Sequence, residues 1–110
     1  MSKTTGTLTI SEKAFSRQVE DLLKTFHWRW CHFRPARTEH GWRTALSGHQ
    51  GFPDYIATKG SRLLICELKS GKNKLSPSQV EWIDSLKQIP STEVYVWYPE
   101  NWDDIVSILR

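Results

Sequence analysis

Apolar residues recur along this chain at two spacings, and each spacing predicts a different kind of element. Over residues 11–26 they return every three or four positions, which predicts an amphipathic helix. A second helix is predicted over 77–87, because Ser76 and Gln79 stand at the two positions of a capping box. A third helix is predicted to begin after Asn101, an N-cap residue that precedes another periodic apolar run.

Four shorter segments are enriched in β-branched and aromatic residues and are predicted as strands: 28–34, 54–58, 62–69 and 93–98. The segment 35–52 contains a proline and three glycines but little apolar period, which predicts a loop. The resulting order is helix, three strands, helix, strand and helix. It predicts an α/β fold in which a mixed sheet is flanked by helices.

Length and composition fit a single cytoplasmic domain. The chain has 110 residues, which we divide into a flexible N-terminal arm (1–10) and one domain (11–110). We see no signal peptide, and no apolar run approaches the roughly 20 residues of a membrane span. Cys31 and Cys66 lie in apolar runs without zinc-site spacing, which is typical of buried thiols in a reducing cytosol. The net charge of +3 suits a polyanionic partner without identifying one.

An acidic pair with a nearby lysine is the strongest candidate for chemistry. Asp54 follows Gly51-Phe52-Pro53 at the start of one predicted strand, and Glu67 and Lys69 share one face of the next. On adjacent strands the two carboxylates can share Mg²⁺ or Mn²⁺. Such an ion assists hydrolysis of an anionic phosphodiester, and the lysine can stabilise the charge that grows on phosphorus. The alternative is a surface ion pair and an ordinary turn after proline.

Two further residues are ambiguous between structure and function. The helical phase of 11–26 turns Glu12 towards the apolar face and Glu20 to the side. A metal ion or a basic partner would offset the cost of burying the charge of Glu12. Glu12 can instead serve the helix dipole or a capping box in the first turn. Gln79 belongs to a capping box, yet it also lies on the inward face, where its amide could orient a water or contact a phosphate.

Several stretches of the sequence share one family pattern: Gly51-Phe52-Pro53-Asp54, Glu67-Leu68-Lys69-Ser70, Leu75-Ser76-Pro77-Ser78-Gln79 with Trp82, and Val94-Tyr95-Val96-Trp97-Tyr98-Pro99. Their order and spacing resemble the VRR-NUC family (virus-type replication-repair nuclease), a branch of the PD-(D/E)XK superfamily. The likeness covers about residues 11–110.

The resemblance implies an αβββαβ core and a phosphodiesterase that depends on magnesium or manganese. It places the catalytic positions at Asp54, Glu67 and Lys69, with Gln79 as the motif glutamine and Glu12 as the glutamate of the first helix. The metal ligands would be the three carboxylates. Stand-alone members of the family resemble phage or prokaryotic proteins that dimerise, and some resolve four-way DNA junctions, whereas others act on flaps within larger repair enzymes.

Basic residues near the candidate site predict contacts with DNA. We expect backbone phosphates to be bound by His32, Arg34, Arg37, Arg43, Lys72 and Lys74. A solvated basic loop is the alternative for the residues before 44. Tryptophans 82, 97 and 102 are expected to pack in the core or in a dimer interface.

The sequence therefore favours a metal-dependent endonuclease that cuts branched or structured DNA as a homodimer. The competing hypotheses are a non-catalytic DNA-binding module and a nuclease of the same superfamily that acts on flaps or linear DNA.

Overall fold

Three helices form at the predicted places. In this computed structural model, which describes residues 10–33, 36–38, 41–43 and 46–110, the helices are α1 (Glu12–Thr25), α2 (Pro77–Lys87) and α3 (Trp102–Leu109). The Ser11 hydroxyl accepts a hydrogen bond from the Ala14 N–H (3.0 Å), and α2 begins with the predicted capping box. All but the last residue of the predicted N-terminal arm lies outside the described residues.

The strands confirm the predicted mixed sheet and add a hairpin. They are β1 (Arg29–His32), β2 (Ala36–Thr38), β3 (Gly41–Arg43), β4 (Tyr55–Lys59), β5 (Arg62–Leu68) and β6 (Thr92–Trp97). The main sheet has the order β1-β4-β5-β6, with antiparallel pairing except between β5 and β6, which are parallel. The prediction of a loop throughout 35–52 was wrong, because β2 and β3 pair with each other. Backbone pairing over three residues needs no apolar period, so periodicity did not reveal it.

The hydrophobic core lies between one face of this sheet and the helices α1 and α3. Its completely buried side chains are Phe15, Val19, Leu23, Tyr55, Leu64, Cys66, Leu68, Ile105 and Leu109. Side chains alternate along β5, so Cys66 and Leu68 point into this core while Ile65 and Glu67 point to the opposite face. The buried residues of α2, Ile83 and Leu86, lie on that opposite side. The two faces thus separate the main core from the candidate chemistry.

Three predictions of burial can be compared with this arrangement. Trp97 is buried in the core and Trp102 packs against it, as expected. Cys66 is buried, but Cys31 is exposed, because it lies on the open face of the edge strand β1. The helical spacing of the second predicted helix would turn Ile89 inwards, but Ile89 is 51% exposed, since α2 ends before it. No helix in the described part of the chain is long and apolar enough to cross a membrane.

Candidate active site

The antiparallel register of β4 and β5 brings the two predicted carboxylates together. Tyr55 pairs with Cys66, so Asp54 and Glu67 are the next opposed positions and project to the same face. The Asp54 N–H donates to Glu67 Oε1 (3.1 Å), and the Leu68 N–H donates to Asp54 Oδ2 (3.1 Å). The backbone N–H of Asp54 therefore positions the Glu67 carboxylate, and the backbone N–H of Leu68 positions the Asp54 carboxylate.

Two donors meet at the second oxygen of Glu67. Lys69 Nζ lies 3.5 Å from Glu67 Oε2, and the Gln79 Nε2–H donates to the same oxygen at 3.0 Å. The other end of the Gln79 amide accepts from the Ser76 N–H (2.8 Å). The Gln79 amide therefore has two contacts: it caps α2, as the sequence predicts, and it also binds the Glu67 carboxylate, a contact that the sequence did not specify.

Burial raises the pKa of both carboxyl groups. Glu67 is only 3% exposed, and burial, followed by the negative charge of Asp54, raises its pKa to about 7. Burial also raises the pKa of Asp54; the Leu68 N–H opposes that shift, and the charge of Glu12 adds to it. A divalent cation fits such a pair, because its charge would offset the repulsion and carboxylate oxygens are the donors that Mg²⁺ and Mn²⁺ prefer. Asp54 and Glu67 are the residues that would hold it.

The third predicted carboxylate does not lie where the helical phase placed it. Glu12 is exposed, not turned into the core, and its Oε1 is 3.4 Å from Asn73 Nδ2. It occupies the first turn of α1, before the first completely buried residue of that helix, Phe15. Within the described residues, no three His, Cys, Asp or Glu side chains group closely enough to hold a metal ion. The charge of Glu12 therefore raises the pKa of Asp54, but Glu12 does not form a cluster of three carboxylates with Asp54 and Glu67.

Glu20 is the buried carboxylate of α1, although the helical phase places it beside the apolar face and not within it. The completely buried apolar residues of that helix are Phe15, Val19 and Leu23, and Glu20 lies about 100° around the helix from their centre. Its burial therefore comes from the side chains that contact it, which the phase of the helix does not show.

Glu20 belongs to a polar network that sequence reasoning missed. The Tyr55 hydroxyl donates to Glu20 Oε2, and His32 Nδ1 lies 3.1 Å from the same oxygen. The His32 ring stacks on Tyr55 with 4.1 Å between centroids. Burial and the bond to Glu20 raise the pKa of Tyr55, which keeps its hydroxyl a donor. A buried tyrosine needs a hydrogen-bond partner, and that requirement at the residue after Asp54 was the available signal.

The segment before Asp54 is held against α2. Gly51 has φ +94°, and a Cβ atom added there would lie 2.7 Å from the Ser78 carbonyl carbon. Phe52 makes an edge-to-face contact with Trp82 at 5.0 Å between ring centroids. Together with the buried Pro53, these contacts anchor the chain where it enters β4.

The predicted DNA-contacting residues divide into three groups. Lys72 and Lys74 are exposed on the segment between β5 and α2, three and five residues after Lys69. The network with Glu20 and Tyr55 leaves the His32 side chain 17% exposed, which favours a structural role for it. Arg34 and the side chains of Arg37 and Arg43 lie outside the described residues.

Comparisons with models of known protein families and with curated proteins return no match to this chain. Any functional conclusion therefore depends on the residues themselves and their geometry.

Proposed function

We propose that this protein is a metal-dependent nuclease that hydrolyses phosphodiester bonds in DNA. The observation that carries the proposal is the arrangement around Glu67: the carboxylate of Asp54 opposite it, with Lys69 Nζ at 3.5 Å and Gln79 Nε2 at 3.0 Å. Acidic groups that resist ionising together, beside a fixed cation, match the demands of an anionic substrate that needs a metal.

Each side chain would have a distinct part in the reaction. A divalent cation held by Asp54 and Glu67 would supply charge neutralisation and Lewis-acid polarisation of the phosphate. The ammonium group of Lys69 would stabilise negative charge that grows on the phosphate oxygens in the transition state. Gln79 would hold the Glu67 carboxylate in place through its amide, and the Leu68 N–H would do the same for Asp54.

The order of the elements supports the superfamily assignment. With the β2–β3 hairpin set aside, the chain runs α1, β1, β4, β5, α2, β6, which agrees with the αβββαβ core that the VRR-NUC resemblance implies. From the same resemblance we propose branched or structured DNA as substrate and a homodimer as the active form. The exposed Lys72 and Lys74 would bind the DNA backbone beside the site.

One observation favours a non-catalytic DNA-binding module as the second candidate. Glu67 Oε2 already receives the Gln79 amide and lies near the Lys69 ammonium, so part of its charge is balanced within the protein. Glu12 does not complete a cluster with the other two carboxylates in the described residues. A domain of this kind would retain binding to DNA without cutting it.

A cleavage panel separates the two candidates. Labelled linear, flapped and four-way DNA would be incubated with Mg²⁺, Mn²⁺ or a chelator, and the flap and linear substrates would test the other nuclease hypotheses. We expect metal-dependent cleavage that Asp54→Asn abolishes while DNA binding persists. Glu100→Gln, which removes an exposed carboxylate far along the chain, is the control and should cut normally. Cleavage that is unchanged in chelator or in Asp54→Asn would overturn the metal mechanism, and binding without cleavage would favour the binding module.

A further inference from the structure

A cavity of about 360 Å³ lies beside the candidate active site, between the segment before β4 and the helix α2. It is lined by His49, Gln50, Ser78, Glu81, Trp82 and Ser85. Its volume falls within the range of about 300–1,000 Å³ that is typical of small-ligand sites. We propose that this cavity receives one unpaired nucleobase of the DNA strand that is cut. This inference rests on the proposed function and narrows its substrate class.

The cavity and the acidic pair share their supporting elements. Ser78 lines the cavity, and the next residue, Gln79, donates to Glu67 at 3.0 Å. On the other wall, Gln50 lies four residues before Asp54, a stretch of chain that spans at most about 14 Å. A base in the cavity would therefore belong to a nucleotide close to the phosphate at the carboxylates.

The chemistry of the walls fits a base better than a phosphate. Among the described residues, those that line the cavity include no lysine or arginine, and they include the carboxylate of Glu81. Negative charge disfavours a phosphate, but a carboxylate can accept from the exocyclic amino group of a base. Trp82 adds an aromatic wall, on which any base can stack. The serine hydroxyls and the Gln50 amide offer donors and acceptors for its polar edge.

The cavity is formed without a ligand. The Trp82 Nε1–H donates to the His49 carbonyl oxygen (3.3 Å), which joins the two walls. Phe52 packs edge-to-face on Trp82, and Phe33 in turn packs on Phe52 with 5.6 Å between centroids. The contact of Gly51 with Ser78 leaves no space for a side chain between the walls. A site held in this way would bind a base without first ordering its own residues.

A paired base cannot enter such a cavity without leaving its stack, which costs a few kcal/mol. An unpaired base avoids most of that cost. The cavity therefore selects DNA that has unpaired nucleotides next to the cut, such as a flap, a gap or an open branch point, over continuous duplex.

The test uses the fluorescent base 2-aminopurine, whose emission changes when it stacks on an indole. It would be placed at a single unpaired position in an otherwise duplex oligonucleotide, and binding would be measured in chelator so that no cleavage occurs. Ser85→Trp fills the cavity from an exposed position of α2, and Ser107→Trp makes the same change on α3, which packs on the opposite face of the sheet. Trp82→Leu is a second variant that removes the aromatic wall, with its folding checked by thermal unfolding.

We expect the unsubstituted protein to change the 2-aminopurine emission of the unpaired substrate but not that of a fully paired one. Ser85→Trp and Trp82→Leu should weaken binding of the unpaired substrate about tenfold or more, and Ser107→Trp should leave it unchanged. Equal affinity and equal emission for the unsubstituted protein and Ser85→Trp would overturn the proposal. If the protein cleaves DNA but Ser85→Trp binds normally, the cavity inference fails and the nuclease stands. If cavity-dependent binding occurs without cleavage in any metal, the nuclease fails, and of the cavity inference only the binding of an unpaired base stands.

Discussion

Replacing Glu67 with glutamine tests the electrostatics of the site through protein stability, without any substrate. In the folded protein this carboxylate is 3% exposed and faces Asp54 across the β4–β5 pair. Glutamine keeps the size of the side chain and removes its charge. The variant therefore isolates the cost of holding a negative charge at this position.

The magnitude follows from the pKa of Glu67, which burial and then Asp54 raise from 4.5 to about 7. At about 1.4 kcal/mol for each pH unit, that difference corresponds to about 3 kcal/mol. The folded state binds more protons than the unfolded state between these two values. The free energy of unfolding should therefore be highest below the lower value, fall as pH rises through the window, and stay low above it. Glu67→Gln should lack this fall, because glutamine does not ionise.

Urea denaturation at about pH 5 and about pH 8, in chelator, measures the effect. Between these conditions the protein should lose up to about 3 kcal/mol of stability more than Glu67→Gln does. Placing an amide beside Lys69 and Gln79 has a cost that does not depend on pH. Comparing the change in stability between the two pH values for each protein cancels that cost. The control Glu100→Gln, which removes an exposed carboxylate, should retain the full fall. Equal changes in the protein and in Glu67→Gln would refute the reasoning, since Glu67 would then be ionised without cost.

Three further predictions concern the same site. Lys69→Met should reduce single-turnover cleavage roughly 10²- to 10³-fold while DNA binding, measured by anisotropy, is retained; unchanged cleavage would exclude a part for its ammonium group. Gly51→Ala should destabilise the protein by about 2–4 kcal/mol in urea denaturation, because its Cβ would lie 2.7 Å from Ser78. The control Gly60→Ala, which has open space around it at φ +58°, should cost only about 1 kcal/mol. Equal losses in the two variants would contradict the close approach of Gly51 to Ser78. Millimolar Mn²⁺ should raise the Tm at neutral pH but leave that of Asp54→Asn unchanged, and an equal rise in both would place the metal elsewhere.

The sequence predicted the elements well where local rules decide them. The capping box of Ser76 and Gln79 placed the start of α2 at the observed residue, because its hydrogen bonds connect residues only three positions apart. The pairing of Asp54 with Glu67 was also accessible, since a short turn between two strands sets an antiparallel register. The β2–β3 hairpin was missed, because strands of three residues leave no measurable periodicity.

The position of the α1 carboxylates could not be read from helical phase alone. Phase gives a direction around the helix, but burial also depends on what lies opposite each turn. Glu20 is buried because the Tyr55 hydroxyl and the His32 ring contact it, and both contacts join residues that are far apart in the sequence. Glu12 is exposed at the start of α1, although Phe15, three residues later in the same turn, is completely buried.

Glu20 and Glu67 show how a buried acidic side chain can have a structural role in one place and form a candidate metal site in another. Glu20 is buried on the core face, where a tyrosine hydroxyl and a histidine ring satisfy it, so it has little need of an added cation. Glu67 is more deeply buried on the other face, but its nearest charged neighbours are an acid and a single lysine, and its pKa rises to about 7. Because a buried charge is costly until it is compensated, the second arrangement favours binding of a cation and the first does not. That contrast, and not the presence of acids as such, is the physical reason for proposing a metal site at Asp54 and Glu67.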